Sequence, residues 1–287
     1  MSIITSHEIS RFYEEYRATE VTFNRQVMEA TGLLSTHLKA AGTETKCILY
    51  ACSMAAAKLL VPELREETLQ AIQAAGSHLS MRLTFKRPDK TDPLTFYVAG
   101  RMTGATPYNP QNPRAQLLAL EFTGRPSDDL ILALGVLLEA NANARRRSEE
   151  RIVITPDTLK RIGLESRDCI VAVEGAEHRC ILRDVSFSGA KVLVAGLAPS
   201  VAGQPVGLTV TRAEGGEKIT LWGEVARTEE VAGHAEILAL GLKFVGEPPV
   251  TYKMMLSSFL SGGRRVAPPP SSAVSVAARS AGRRPEP

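Results

Sequence analysis

Apolar positions along this chain switch between two periods, one suited to helices and one to strands. In residues 10–34, Phe12, Tyr16, Val27 and Leu33 recur at helix-compatible intervals among charges, which predicts a helical or mixed opening. From 46 to 125 the runs shorten. Residues 47–50, 79–85, 94–99 and 116–122 alternate or cluster apolar side chains between Pro, Gly and Asn, and so predict a small antiparallel barrel. Pro126-Ser127-Asp128-Asp129 then reads as a helix start with acid in its first turn, and Leu130, Leu134, Leu137 and Leu138 follow on one face. Asn141 and Asn143 are poor interior residues and suit the end of that helix or a hinge, with Arg145-Arg146-Arg147 marking the junction. Seven further runs, 151–155, 169–174, 178–184, 190–194, 206–211, 218–227 and 237–244, predict a second barrel. Met254 and Leu256, with Leu260 or Phe259, are spaced for a closing helix over 250–260.

The two barrels are related in sequence. Residues 47–61 lie over 180–194 without a gap, with eight identities in fifteen, and 118–126 parallels 240–248 in the same order. This predicts two copies of one barrel, each followed by a helix.

Composition narrows the function classes. With 44% hydrophobic and 23% charged residues, the 287-residue chain can bury a core in each of two domains, and wholesale disorder is excluded. The net charge of +3 is misleading as a sign of nucleic-acid binding. From Gly262 onward five arginines face only Glu286, so the surplus lies in a Pro/Ser/Ala/Arg tail and the rest is close to neutral. The first twenty residues are polar and acidic, unlike a signal peptide, and the longest apolar runs fall short of a membrane span, so a cytoplasmic protein without membrane insertion is expected. Cys47, Cys52, Cys169 and Cys180 form no Cys-x-x-Cys pair and the five histidines are scattered, which predicts buried free thiols and no metal.

The polar constellation belongs to the second copy. Arg146, Arg147 and Arg151 precede its first strand, and Asp184, Ser186 and Gly189 follow the strand ending at Arg183. Taken alone, Arg145 to Arg151 with Glu149 and Glu150 reads as a solvated charged linker, and Asp-x-Ser-x-x-Gly reads as an ordinary turn between strands. Their order, spacing and strand context together favour a ligand site. The first copy has Ala51 and Ala56 at the positions of Asp184 and Gly189 and keeps only Ser53; Arg11 and Arg17 are differently spaced.

Arg147-Ser-Glu-Glu-Arg151 followed by Asp184-Val-Ser-Phe-Ser-Gly189 resembles the two signatures of PilZ domains. More broadly, 9–22 with the neighbourhood of Phe23 and the helix at 128–143 resemble the two-domain PilZ proteins of spirochaetes. The resemblance implies a mainly β fold with flanking helices: tandem six-stranded antiparallel barrels, joined by a helix and short linker, with a disordered tail. The expected division is a degenerate PilZ-like domain at 1–143, a ligand-binding PilZ domain at 144–262 and the tail at 263–287. It further implies a non-enzymatic receptor for cyclic di-GMP, with no other cofactor, acting on motility, surface behaviour or virulence through an unidentified effector protein.

Physical chemistry assigns roles within that resemblance. A guanidinium can meet guanine O6 and N7 with two donors, stack on purine faces and bind phosphate. Asp184 can accept from guanine N–H groups, Ser186 can donate or accept nearby, and Gly189 would permit a positive φ or close approach of ligand to backbone. In related domains an arginine at the position of Arg146 accompanies an intercalated ligand dimer. Lys191 has a repeat partner in Lys58, which favours a structural or solubility role. The competing reading is a nucleic-acid-binding adaptor built on a small barrel and basic tail, against which stand the 5% aromatic content and the near-neutral folded part. No nucleophile–base pair or phosphate-cradling glycine loop supports an enzyme.

Overall fold

The computed structural model describes residues 5–40, 42–74, 76–87 and 91–262; the expected disordered tail lies outside them. The first half contains α1 (Ser6–Tyr16), β1 (Val21–Thr22), α2 (Arg25–Thr31), β2 (Leu33–Ala40), β3 (Thr43–Cys52), β4 (Ala56–Val61), α3 (Glu66–Ala74), β5 (His78–Phe85), β6 (Leu94–Asn109) and β7 (Asn112–Phe122). Helix α4 (Asp128–Arg146) leads to the second half. There follow β8 (Ile152–Val153), α5 (Pro156–Ile162), β9 (Asp168–Val173), β10 (Ala176–Val185), β11 (Gly189–Ala195), β12 (Pro205–Thr211), β13 (Lys218–Val231), β14 (His234–Phe244) and α6 (Val250–Gly262).

Each half forms a closed six-stranded antiparallel barrel with one short strand added. In the first, β3-β2-β5-β6-β7-β4 closes through β4 pairing with β3, and β1 pairs with β3. In the second, β11-β14-β13-β12-β9-β10 closes through β10 pairing with β11, and β8 pairs with β10. Closure leaves neither ring an open edge. The expected fold class is borne out.

Register confirms the duplication. Ala51 faces Lys58 as Asp184 faces Lys191, and Val21 faces Cys52 as Ile152 faces Val185. Helices α2 and α5 are both seven residues long; Asn24 and Thr155 cap their starts, and Gly32 and Gly163 take the left-handed conformation after their ends.

Several elements differ from the pattern reading. Residues 10–34 hold parts of two helices with β1 between them, and Leu33 already belongs to β2, where buried Thr36 hides the apolar alternation. Strand β4 is legible only through its repeat partner at 190–194, and α3 and α5 carried too few apolar residues to stand out. Asn141 and Asn143 do not end α4, which runs on to Arg146. Asn143 is held inside the helix because its amide donates to Ser257 Oγ of α6 at 2.8 Å.

Two apolar cores result, one per barrel. Helix α1 lies on α4, with the Phe12 ring against Gly135 where a Cβ would collide. Helix α6 serves both cores: Val250 and Met254 pack into the first, while Tyr252, Met255, Leu256 and Leu260 belong to the second.

Candidate functional site

The arginine segment and the Asp-x-Ser-x-x-Gly segment are brought together by main-chain bonds. Arg147 terminates α4, its N–H donating to Asn143 O at 2.8 Å, and the chain then turns so that Glu150 N–H donates to Arg147 O at 3.0 Å. Ser148 O accepts from Ser188 N–H at 3.1 Å, and β8 pairs with Asp184 and Val185. The arm is thus an edge of the second barrel.

A bulge aims the carboxylate. Cys180 and Leu182 point into the barrel, and strict alternation would send Asp184 inward too. The register shift between Leu182 and Asp184 inserts Arg183, turning Asp184 outward and Val185 into the core. Arg151 Nη1 donates to Asp184 Oδ1, with the Asp184 side chain 18% exposed and that of Arg151 40%. Arg147 Nη1 lies 3.5 Å from Glu150 Oε2. Arg146, in the last turn of α4, is exposed and makes no ion pair among the described residues.

Ser186 and Gly189 shape the loop between these groups. Ser186 is fully buried, its Oγ accepting from Gly189 N–H at 3.0 Å and lying 3.2 Å from both Gly189 O and Ser188 Oγ. Gly189 does not adopt the positive φ entertained for it. It is glycine because a Cβ would strike the Leu242 carbonyl oxygen of β14. Lys191 Nζ donates to Glu229 at 2.6 Å and holds that carboxyl below the ordinary range, in keeping with its expected structural role.

The first barrel shows the same scaffold without the grip. Counted from the matching β1 and β8 registers, Tyr16 and Glu20 stand where Arg147 and Arg151 stand in the second copy. Tyr16 is buried, its phenol pushed up to about 12 chiefly by desolvation. Glu20 pairs with Lys58 at 2.9 Å instead of meeting a carboxylate partner. The Ser53 turn survives unchanged, with Ala56 N–H donating to Ser53 Oγ at 3.0 Å.

These features match a known domain. The second barrel, over residues 145–262, matches the PilZ domain, and residues 7–141 match the PilZN3 domain. A "Cyclic di-GMP binding protein" of Treponema denticola is 32% identical over 270 residues, covering 93% of this chain and 86% of that protein. The chain belongs to the PilZ family. The resemblance read from the two motifs is therefore borne out. Among solved structures, the family member is similar to the Borreliella burgdorferi PlzA protein in complex with c-di-GMP, at 21% identity, with 88% of this chain and 98% of that one covered and a TM-score of 0.40. It is also similar to YcgR from Escherichia coli in complex with c-di-GMP, at 15% identity, with coverages of 84% and 87% and a TM-score of 0.28.

Within the PilZ domain, two contributors escaped the motif reading. Arg183, the bulged residue, is exposed beside Asp184 and was legible only as the last residue of a strand. Tyr252 on α6 donates its hydroxyl to Ser186 O at 2.8 Å, a contact across 66 positions that no local signal announces. Among the described residues no group of His, Cys, Asp and Glu is placed to hold a metal, and no helix is long and apolar enough to cross a membrane.

Proposed function

We propose that this protein is a non-enzymatic receptor for cyclic di-GMP, read by its PilZ domain. The observation that carries the reading is the junction of Arg151 with Asp184, one turn of chain beyond Arg147, on the rim of the second barrel. Arg151 uses one of five N–H donors on Asp184 and has the others to offer; Arg147 supplies a second guanidinium. Guanine presents O6 and N7 to such groups and its own N–H donors to a carboxylate, while the phosphates take charge-assisted bonds. That the Treponema denticola relative is a cyclic di-GMP binding protein supports the same ligand.

In this reading Arg146, Arg147, Arg151 and Asp184 contact the ligand, and Ser186 and Gly189 give the loop its shape. The first domain, 1–143, relays the state of the second, 144–262. Binding orders the arm and shifts the relative arrangement of the barrels through differential affinity for two arrangements. The output, on motility, surface behaviour or virulence, passes through an effector protein in the cytoplasm.

Calorimetric titration with cyclic di-GMP tests the reading. The wild-type chain binds, and Arg147→Ala and Asp184→Ala each lose about 1–3 kcal/mol or more of binding free energy, roughly tenfold to a hundredfold in affinity, while the circular dichroism spectrum persists. Unchanged affinity in both variants sinks the site assignment. Two ligands per chain, falling to one in Arg146→Ala, support the intercalated dimer; one ligand in the wild type refutes it.

A further inference from the structure

Both halves of the ligand site are tied to one helix, and that helix is also built into the other barrel. Ser186 O accepts the Tyr252 hydroxyl at 2.8 Å; Tyr252 is 1% exposed, and burial drives its phenol far above the ordinary value, so it remains a neutral donor. Its ring meets Phe244 edge to face at 6.1 Å, and Phe244 N–H donates to Ser188 O at 2.8 Å. The 186–188 loop is therefore held at both ends. On the arginine side, Arg147 N–H donates to Asn143 O, and the Asn143 amide donates to Ser257 Oγ of α6 at 2.8 Å. Val250 and Met254 of the same helix pack into the first core, and Ser261 Oγ reaches Glu139 Oε2 of α4 at 3.4 Å.

We infer that Tyr252 is a positioning residue that couples the ligand loop to the first barrel through α6. Packed interiors transmit small shifts because they deform little. A displacement of 184–189 relative to the end of α4 is imposed on α6 at Tyr252 and Ser257, and reaches the first core at Val250 and Met254. The Tyr252 hydroxyl is the only part of this helix bonded to the loop itself among the described residues. The inference rests on cyclic di-GMP binding at the proposed site.

Hydrogen exchange measured by mass spectrometry on the full chain, with and without saturating cyclic di-GMP, tests it alongside titration. In the wild type, ligand slows exchange at 147–151 and 184–189 and also changes it in α6 and in α2, the first-domain helix packed on α6. Tyr252→Phe removes only the hydroxyl; it retains binding within about tenfold of wild type, while the ligand-dependent change in α2 is lost. Met254→Ala loosens α6 from the first core without touching the loop, so affinity stays within about twofold and the α2 response again disappears. A Tyr252→Phe chain that still transmits the full change to α2 overturns the coupling, as does a wild type that binds without any change there. Should Tyr252→Phe fail to fold, Met254→Ala decides alone. Absence of binding by the wild type removes the functional reading itself and is seen directly in the titration.

Discussion

Gly189 and Ala56 occupy the same place in two copies of one barrel, and they differ by a single carbon. The carbonyl of Leu242 fills the space a Cβ would need at Gly189, whereas the first barrel accommodates the methyl of Ala56 opposite Glu121. Gly189→Ala should therefore destabilise the chain by about 1–3 kcal/mol through overpacking. Ala56→Gly should cost only about 0.5–1 kcal/mol of backbone entropy. Urea titration of the two variants checks the asymmetry, and equal losses would remove the close-approach argument. The glycine itself was legible, because it closes the Asp-x-Ser-x-x-Gly pattern. Its cause was not, since Leu242 lies more than fifty positions away and the sequence suggested a positive φ or a close approach of ligand. Asp184, between Leu182 and Val185, carried a faint signal of the bulge, a polar residue standing in the apolar phase of its strand.

At the level of elements, α6 is a helix whose apolar residues cover more than one face, as suits an element packed between two cores. The one charge it buries is Lys253, 3% exposed, paired with Glu247 at 2.7 Å just before the helix begins. The bond from Lys253, and the charges of Lys253 and then Arg145, hold the Glu247 carboxyl below its ordinary value, so its contribution to stability is present above the unfolded value and lost as pH falls through the folded one. Thermal melts between about pH 6 and pH 3 should accordingly show a decline that is shallower in Glu247→Gln than in the wild type. Parallel pH profiles in the two proteins would show that the pair does not anchor the helix. Sequence spacing correctly predicted a helix here, but not its second partner: the pattern of Met254, Leu256 and Leu260 says that faces are apolar and leaves open what covers them.

For the whole molecule, sharing α6 should make the two barrels unfold together. Differential scanning calorimetry is expected to give one transition over the folded part, with a calorimetric enthalpy close to the van't Hoff value; two resolved transitions would show that the barrels are energetically separate. The sequence by itself determined the duplication, the number of barrels and the two motifs of the candidate site, because alternation, turn residues and a fifteen-residue repeat are local properties of the chain. It also set the second copy apart, since Asp184 and Gly189 have Ala51 and Ala56 as counterparts and no Arg-x-x-x-Arg arm precedes the first barrel. Only the tertiary structure decided that Asp184 faces outward to meet Arg151, that Ser186 serves the turn, and that α4 continues through Asn143. The same holds for the attachment of Tyr252 to the loop. Each of these depends on ladder register or on contacts between elements far apart in sequence, where side-chain periodicity carries no information.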